Sequence, residues 1–132
     1  MNKTFELIIE PRFCELDGLG HINNASFLEW IEQARIPLFR IFNPTLDLKK
    51  WNLILARNEI DYLFPVEFGS EVKIETYFSK IGNSSIKMEH ELFQNGEIVA
   101  RASGVIIHYD YDQKKSVPIN QQIREQLKNY LQ

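Results

Sequence analysis

The sequence predicts a single α+β domain in which an antiparallel sheet wraps around one long helix. Two observations carry this prediction. Apolar residues recur at intervals of three and four between residues 24 and 42, which is the spacing of one apolar helix face. After residue 50, apolar and polar residues alternate through several segments, which indicates strands that bury one face. A chain of 132 residues has room for one such domain, so we assign residues 1–132 to it.

The N-terminal part contains one strand, one loop and the helix. Residues 4–13 form a β-rich run that breaks at Pro11, which predicts an edge strand or one that bends there. Residues 14–23 contain two glycines and several polar groups, as loops do. The helix begins near Asn24, and Pro37 should kink or interrupt it just before the proline. Its apolar face consists of Phe27, Leu28, Ile31, Ala34, Leu38, Ile41 and Phe42.

Four strands and a short helix follow the central helix. The strands span residues 51–63, 68–80, 85–94 and 97–110, and the helix spans about 119–131. Asn95-Gly96 predicts a type I′ turn between the last two strands, because both central positions of that turn need a positive φ. We expect the four strands to form a meander. Its exposed edge predicts an oligomer, with the last-but-one strands pairing in a two-fold dimer.

The composition argues against several classes of protein. The net charge is −3, whereas a nucleic-acid-binding domain usually carries a basic stripe, so no nucleic-acid partner is expected. The N-terminus is too polar for a signal peptide and no apolar run approaches ~18 residues, so we expect a cytoplasmic protein without membrane insertion. Cys14 is the only cysteine and should be a buried thiol. No two histidines have metal-ligand spacing, so we predict no metal site and no cofactor.

The segment before the helix places several reactive groups close together. Asp17, His21, Asn23 and Asn24 lie in a glycine-containing loop that leads directly into the helix N-terminus. The first turn of a helix presents unpaired amides and a partial positive charge, which suit a developing oxyanion. A carboxylate beside that turn could attack an acyl carbon or activate water. These residues alone therefore indicate a candidate acyl-transfer site.

This segment contains the pattern Asp-x-x-Gly-His-Ile-Asn-Asn, followed by an aromatic residue and then by Glu-x-Ala-Arg. The residues of the pattern are Asp17, Gly20, His21, Ile22, Asn23, Asn24, Phe27, Glu32, Ala34 and Arg35. The pattern resembles the signature of the 4-hydroxybenzoyl-CoA thioesterase family of hotdog-fold proteins. The resemblance implies a five-stranded antiparallel sheet curled around the helix, and homodimers or homotetramers with active sites between subunits. It also implies hydrolysis of an acyl-CoA.

The resemblance implies roles for individual residues. Asp17 would be the nucleophile or general base, and amides near Asn24 would polarise the thioester carbonyl. His21 would orient the substrate or Asp17. Cations would hold the CoA phosphates, with Lys80, the serine turn that follows it, and Arg57 as the expected contacts. The predicted catalytic residues are Asp17, His21 and Asn24, and the predicted substrate-binding residues are Gly20, Asn23, Ser26, Phe27, Tyr62, Lys80, Ser84 and Ser85.

Two positions depart from the family pattern. Many members have Asp-x-Asp where this chain has Glu15-x-Asp17, and a tyrosine that is usual in the first helical turn is replaced by Phe27. Neither change touches Asp17, but both bear on the acyl pocket. The sequence therefore leaves open which acyl group is bound, and whether it arrives on CoA or on an acyl carrier protein.

Several alternatives remain at this point. The two asparagines are explained as well by helix capping as by substrate contact, and His21 could be a loop histidine bonded to the backbone. Glu32 and Arg35 stand three apart, which favours a surface or interface ion pair. A second type of hotdog thioesterase has its catalytic acid on the helix, so Glu29 or Glu32 is the alternative carboxylate. The alternative function is a non-catalytic domain that binds acyl-CoA or acyl carrier protein.

Overall fold

The computed structural model describes residues 3–132 and contains an antiparallel sheet that curls around a helix. The five main strands are β1 (Phe5–Ile9), β2 (Leu53–Tyr62), β3 (Val72–Ile81), β4 (Ser85–Gln94) and β5 (Glu97–Asp110), in the spatial order β1-β3-β4-β5-β2. A two-residue strand, β6 (Lys115–Ser116), pairs with the end of β5. The helices are α1 (Asn24–Ala34), α2 (Ile36–Phe42) and α3 (Gln121–Lys128). The predicted α+β arrangement is confirmed.

The central helix has two segments, as Pro37 predicts. α1 ends at Ala34 and α2 begins at Ile36, with Arg35 between them. Pro37 stands in the first turn of α2, where its missing amide costs no hydrogen bond. The face that packs on the sheet buries Phe27, Trp30, Ile31, Ala34, Leu38 and Phe42. Of the predicted apolar face, Leu28 is the exception, because it remains 41% exposed.

The alternation in β3 and β4 gives the sheet side of the core. The buried residues of these strands are Val72, Ile74, Thr76, Phe78, Ile86, Met88, His90, Leu92 and Gln94, as their period of two predicts. The turn between β4 and β5 has φ values of +53° at Asn95 and +80° at Gly96. The predicted hairpin is confirmed, because a type I′ turn needs both angles to be positive.

The prediction of a four-strand meander is wrong for β2. This strand pairs with β5, and β3 lies on the far side of β4. The connection over residues 63–71 can span ~30 Å, which is ample for the ~14 Å of three interstrand spacings. Alternation identifies a strand but not its neighbour, so this crossover could not be read from the pattern. The pairing expected for the last-but-one strand is also wrong, because β4 lies between β3 and β5.

β1 and β2 are the two edges of the sheet. β2 is the longer edge, with ten residues that pair on one side only. None of the helices within residues 3–132 has the length and apolar character needed to cross a membrane.

The loop that leads into α1 is fixed to the opposite crossover segment. The Ile22 amide donates to the carbonyl oxygen of Val66 at 2.9 Å. The Gln94 side chain accepts the Glu67 amide at 3.0 Å and donates to the carbonyls of Glu67 and Ser70 at 2.9 and 3.0 Å. These bonds hold the loop and the crossover at the end of the sheet where β2 and β4 terminate. Cys14 lies exposed on a 3₁₀ turn of this loop, so the prediction of a buried thiol is wrong.

Candidate active site

The carboxyl group of Asp17 is held by the backbone of its own loop. Its Oδ1 accepts the amide of Leu19 at 2.8 Å and the amide of His21 at 3.1 Å. The Asp17 amide donates to the His21 carbonyl at 2.7 Å, and Gly20 permits this tight turn with a φ of +85°. The two amide bonds lower the pKa of Asp17 below its usual value. Asp17 is therefore ionised at neutral pH.

Asp17 faces a cleft of about 270 Å³ at the end of the sheet. Its walls come from the loop, from the start of α1 and from the segment that follows β2. The lining residues are Asp17, His21, Ile22, Asn24, Phe27, Tyr62, Leu63, Phe64, Pro65 and Val66. The structure thus brings together all three predicted catalytic residues and two of the predicted substrate contacts. Gly20, Asn23 and Ser26 lie in the adjoining loop and helical turn without lining this cleft.

One amide in the first turn of α1 is left for a ligand. Asn23 is the N-cap, and its Oδ1 accepts the amide of Ala25 at 2.9 Å. Its carbonyl accepts the amide of Ser26 at 3.0 Å. The Asn24 amide has no acceptor among residues 3–132. The capping explanation is therefore correct for Asn23, whereas the Asn24 amide is unbonded and Asn24 lines the cleft that contains Asp17.

An aromatic pair forms the wall opposite the loop. Phe27 is 2% exposed, and its ring meets that of Tyr62 edge to face with centroids 5.2 Å apart. The Tyr62 hydroxyl donates to the Asn24 carbonyl at 3.2 Å. The end of β2 is thereby joined to the first turn of α1.

Glu15 is a buried acid beside the cleft, at a position where the sequence shows only a departure from the family pattern. It is 5% exposed, and its Oε2 accepts the indole N–H of Trp30 at 2.9 Å. Its Oε1 accepts the Arg12 amide at 2.7 Å, and its carbonyl accepts the Asn23 amide at 2.7 Å. Two features of the sequence pointed to this role of Glu15. It stands where many family members have the shorter aspartate, and the predicted helix carries a tryptophan, Trp30.

The predicted phosphate contacts lie far from Asp17 within one protomer. Ser85 pairs with Ile107 of β5, whereas Tyr62 pairs with Ala100 of the same strand. Seven strand residues separate these positions, which corresponds to ~23 Å. Lys80 and Ser84 flank the same distant turn between β3 and β4. The assignment of these three residues as phosphate contacts stays a prediction.

Arg35 does not form the ion pair that its spacing from Glu32 predicts. Within the described chain, its guanidinium is 3% exposed and donates Nε–H to His90 at 3.2 Å and Nη2–H to Asn58 at 2.7 Å. Burial lowers the pKa of Arg35 to about 10 and that of His90 to about 3. His90 also bonds to Thr76 at 2.8 Å, which confirms it as a hydrogen-bonded core histidine. Glu32 is left on the exposed face of α1.

Glu29 lies outside the cleft that contains Asp17. It is exposed and lies 3.7 Å from the Arg12 guanidinium. Arg57, the other expected phosphate contact, forms an ion pair with Glu59 on the exposed β2 strand. Within residues 3–132, no three His, Cys, Asp or Glu side chains are grouped so that they could hold a metal ion.

A second cavity of about 360 Å³ lies between the central helix and β2. Its walls are mixed, because the Glu29, Glu32, Arg35 and Asn58 side chains provide charged and polar groups beside the apolar ones. The apolar and aromatic residues that line it are Leu28, Phe39, Trp51, Leu53, Ile54, Leu55, Ile106 and Tyr111. It opens beside the unpaired edge of the sheet, on the side where Leu28 and Leu55 are exposed.

The sequence profile of the thioesterase-like superfamily matches residues 11–127. The chain belongs to this superfamily. It is 34% identical to a predicted thioesterase from Bacillus stearothermophilus, whose structure superposes with a TM-score of 0.96 over 98% of both chains. It is 37% identical to a thioesterase from Thermus thermophilus, with a TM-score of 0.82 over 92% of this chain and 95% of that one. The hotdog fold implied by the sequence is confirmed by these similarities.

The thioesterase from Thermus thermophilus was solved in complex with coenzyme A and Zn. A further member of similar length is the uncharacterized protein YsmA of Bacillus subtilis strain 168. It is 29% identical over 121 residues, which cover 90% of this chain and 82% of YsmA. These similarities establish membership of the superfamily. They do not distinguish the 4-hydroxybenzoyl-CoA thioesterases from its other members.

Proposed function

We propose that this protein is an acyl-CoA thioesterase that hydrolyses a thioester to a free carboxylic acid and CoA. The observation that carries the proposal is the pairing of an ionised carboxylate, Asp17, with an unbonded helix-terminal amide, Asn24, in one cleft. Membership of the thioesterase-like superfamily supports the same reaction. The coenzyme A bound by the thioesterase from Thermus thermophilus supports CoA as the carrier.

Asp17 is the residue that acts on the thioester carbon. As a nucleophile, its carboxylate attacks the acyl carbon, the CoA thiolate leaves, and water hydrolyses the mixed anhydride. As a general base, it takes a proton from a water molecule that attacks the acyl carbon directly. Both roles require the ionised form, which the amides of Leu19 and His21 favour. Both bonds end on Oδ1, so Oδ2 is the oxygen available to react.

The N-terminus of α1 stabilises the negative charge that develops on the thioester oxygen. The Asn24 amide donates to that oxygen, and the positive end of the helix adds a favourable potential. Asn23 and Ser26 contribute indirectly, because their bonds to each other and to Ala25 fix the first turn. A single donor of this kind contributes about 10²–10³-fold to kcat in well-studied enzymes.

His21 and the aromatic wall orient the substrate. The His21 ring lines the cleft while its backbone closes the Asp17 turn, so it joins the two parts of the site. Phe27 and Tyr62 offer an apolar surface to the acyl group. Gly20 keeps the loop open beside Asp17, since it carries no side chain and has nothing within 4 Å of its Cβ position.

A homodimer would complete this site through the edge of β2. When two β2 strands pair antiparallel about a two-fold axis, the residue numbers of each opposed pair add up to the same total. With Asn58 at the axis, Tyr62 of one protomer stands opposite Ile54 of the other. The cavity that Ile54 borders then adjoins the partner's cleft, and its apolar side supplies room for the acyl chain. A second protomer also gives Lys80, Ser84, Ser85 and Arg57 a means of approaching the CoA phosphates.

The direct test is the release of free thiol from a panel of aryl, short-chain and long-chain acyl-CoAs, with acyl carrier protein thioesters assayed in parallel. Turnover of a CoA thioester supports the proposal, and the preferred member names the acyl group. Tight binding without turnover across the panel would contradict it and would favour the non-catalytic binding domain.

Asp17 as nucleophile and Asp17 as general base are separated by one turnover in oxygen-18 water together with mass spectrometry of the rapidly quenched enzyme. Label found on the Asp17 carboxyl group identifies it as the nucleophile, with water attacking its carboxyl carbon. Label confined to the product acid is expected of a general base, and also of an anhydride that water opens at the acyl carbon. An acyl adduct on Asp17 in the quenched enzyme identifies the second case, and its absence identifies the general base.

A further inference from the structure

Glu15 is a buried carboxyl group that the proposed reaction does not use. It ends the 3₁₀ turn Phe13–Glu15, two residues before Asp17, and is 5% exposed. Its Oε2 accepts the indole N–H of Trp30 at 2.9 Å and lies 3.5 Å from the Arg12 guanidinium. Its Oε1 accepts the Arg12 amide at 2.7 Å. A buried acid is costly unless its oxygens are bonded, and here both of them are.

Glu15 is bonded both to the body of α1, through its side chain, and to the N-cap of α1, through its backbone carbonyl. Its side chain is anchored to Trp30 in the second turn of α1, and Trp30 is itself 5% exposed. Its backbone carbonyl accepts the Asn23 amide at 2.7 Å, directly before the free amide of Asn24. Glu15 therefore joins the start of the Asp17 loop both to the cap and to the body of the helix.

We propose that Glu15 is a positioning residue that fixes the Asp17 carboxylate relative to the Asn24 amide. This inference rests on the proposed function, because it concerns the geometry of that reaction. Glu15 touches neither the cleft nor a substrate bound there, so its effect passes through the loop and the helix. A displacement of about 1 Å between reacting groups can lower a rate by about 10²-fold.

The chain offers a matched control for the removal of this charge. Glu29 also lies near the Arg12 guanidinium, at 3.7 Å, but it is exposed, and the Trp30 indole N–H donates to Glu15. Glu29→Gln therefore removes an acid beside the same arginine and leaves the link between loop and helix intact, which makes it the control for amide hydrogen exchange. Glu15→Gln keeps one oxygen acceptor and replaces the other with an NH₂ group, which cannot accept from Trp30 or Arg12.

The kinetic expectation is a loss in kcat with little change in KM. Glu15→Gln should lower kcat by about 10–100-fold and change KM by less than about 3-fold. The acid limb of the kcat profile should move to higher pH, because a looser loop weakens the amide bonds that favour ionised Asp17. Glu125→Gln, which removes an exposed acid paired with Lys128 on α3 away from both cavities, should change none of these. A kcat within about 2-fold of wild type in folded Glu15→Gln, or an unmoved acid limb, would overturn the inference.

Trp30→Phe provides a second route to the same link, because it removes the indole N–H and keeps an aromatic ring. If Glu15 acts through Trp30, the double variant should lose no more kcat than the more impaired single variant. Losses that multiply would overturn the inference. Trp30→Phe alone should lower kcat with little effect on KM, so the idea stays testable even if Glu15→Gln does not fold.

Amide hydrogen exchange separates this inference from the proposed reaction. The amides of Leu19 and His21 should exchange about 10-fold faster in Glu15→Gln or in Trp30→Phe than in wild type, and at the wild-type rate in Glu29→Gln. Unchanged exchange in folded variants would overturn the role of Glu15 whatever the activity. Absence of wild-type turnover on every acyl-CoA with altered exchange in the variants would instead overturn the proposed function.

Discussion

Arg35 lies directly over Gly104 of β5, and this contact requires the glycine. A Cβ atom built on Gly104 would lie 2.9 Å from the guanidinium carbon of Arg35 and 3.1 Å from Asn58 Oδ1. The guanidinium reaches His90 and Asn58 through the space that the missing side chain leaves. This relationship explains why Arg35 lies inside the fold and does not pair with Glu32 on the helix surface.

Gly104→Ala should destabilise the protein by about 1–3 kcal/mol, because the added methyl group forces the buried guanidinium or the strand to move. The free energy of unfolding from chemical denaturation measures the loss. Gly18→Ala is the control, since nothing lies within 4 Å of its Cβ position, and it should change stability by less than about 0.5 kcal/mol. Equal effects of the two substitutions would contradict the packing argument.

His90 should make the folded state less stable in acid. Burial, assisted by the nearby Arg35, lowers its pKa to about 3, whereas an unfolded histidine titrates at ~6.5. Between these values the unfolded chain takes up a proton that the folded chain does not. The contribution is therefore complete above pH ~6.5 and is lost as the pH falls, by at most about 1.4 kcal/mol per pH unit.

The measurement is the change in unfolding free energy between about pH 7 and about pH 4.5, in wild type and in His90→Gln. The unfolding free energy of the variant should fall less over this pH range, because the variant lacks His90. All other groups titrate in both proteins. Identical slopes would show that the ring takes up its proton while folded.

Asn23→Ala should affect both stability and catalysis. Removal of the N-cap oxygen costs about 1 kcal/mol and releases the Ala25 amide. Asn120→Ala is the matched control, because Asn120 caps α3 by accepting the Ile123 amide at 2.8 Å, away from the cleft. Both variants should lose similar stability, but only Asn23→Ala should lower kcat. An equal fall in kcat for both would mean that the cap matters to folding alone.

The protein should form dimers through β2, with twice the 15.6 kDa mass of one chain. Leu55 is 48% exposed on this edge, so Leu55→Lys should place a charge in the contact and shift the mass measured by light scattering toward one chain. Leu48→Lys is the control, since Leu48 is 82% exposed on a turn before β2 and should leave the mass unchanged. A wild-type monomer at micromolar concentration would contradict this assembly.

The helix, the alternating strands and the Asn95-Gly96 turn could be predicted because each depends on local spacing and backbone preference. The position of β2 in the sheet could not be predicted, since its paired residues on β5 lie 38 to 55 residues away and the alternation does not identify a strand's neighbour. One half of the Asp17 cleft was predictable because those residues lie within one short segment, residues 17–27, whereas the wall from residues 62–66 comes from a distant part of the chain. The inward turn of Arg35 depends on Gly104, and the anchoring of Glu15 depends on Trp30. Pairs that are distant in sequence carry no signal in a single chain.

The most direct test of the account is the kcat of Asp17→Asn on the acyl-CoA that wild type hydrolyses best. The substitution keeps the size of the side chain and an oxygen that can accept the Leu19 and His21 amides, but it removes the charge that reacts. We predict a loss of about 10²–10⁴-fold in kcat, with folding and acyl-CoA affinity little changed. Asp112→Asn, at an exposed position outside the cleft, should retain wild-type turnover. Near-normal turnover by folded Asp17→Asn would contradict the account and would make Glu29 or Glu32 the carboxylate to test.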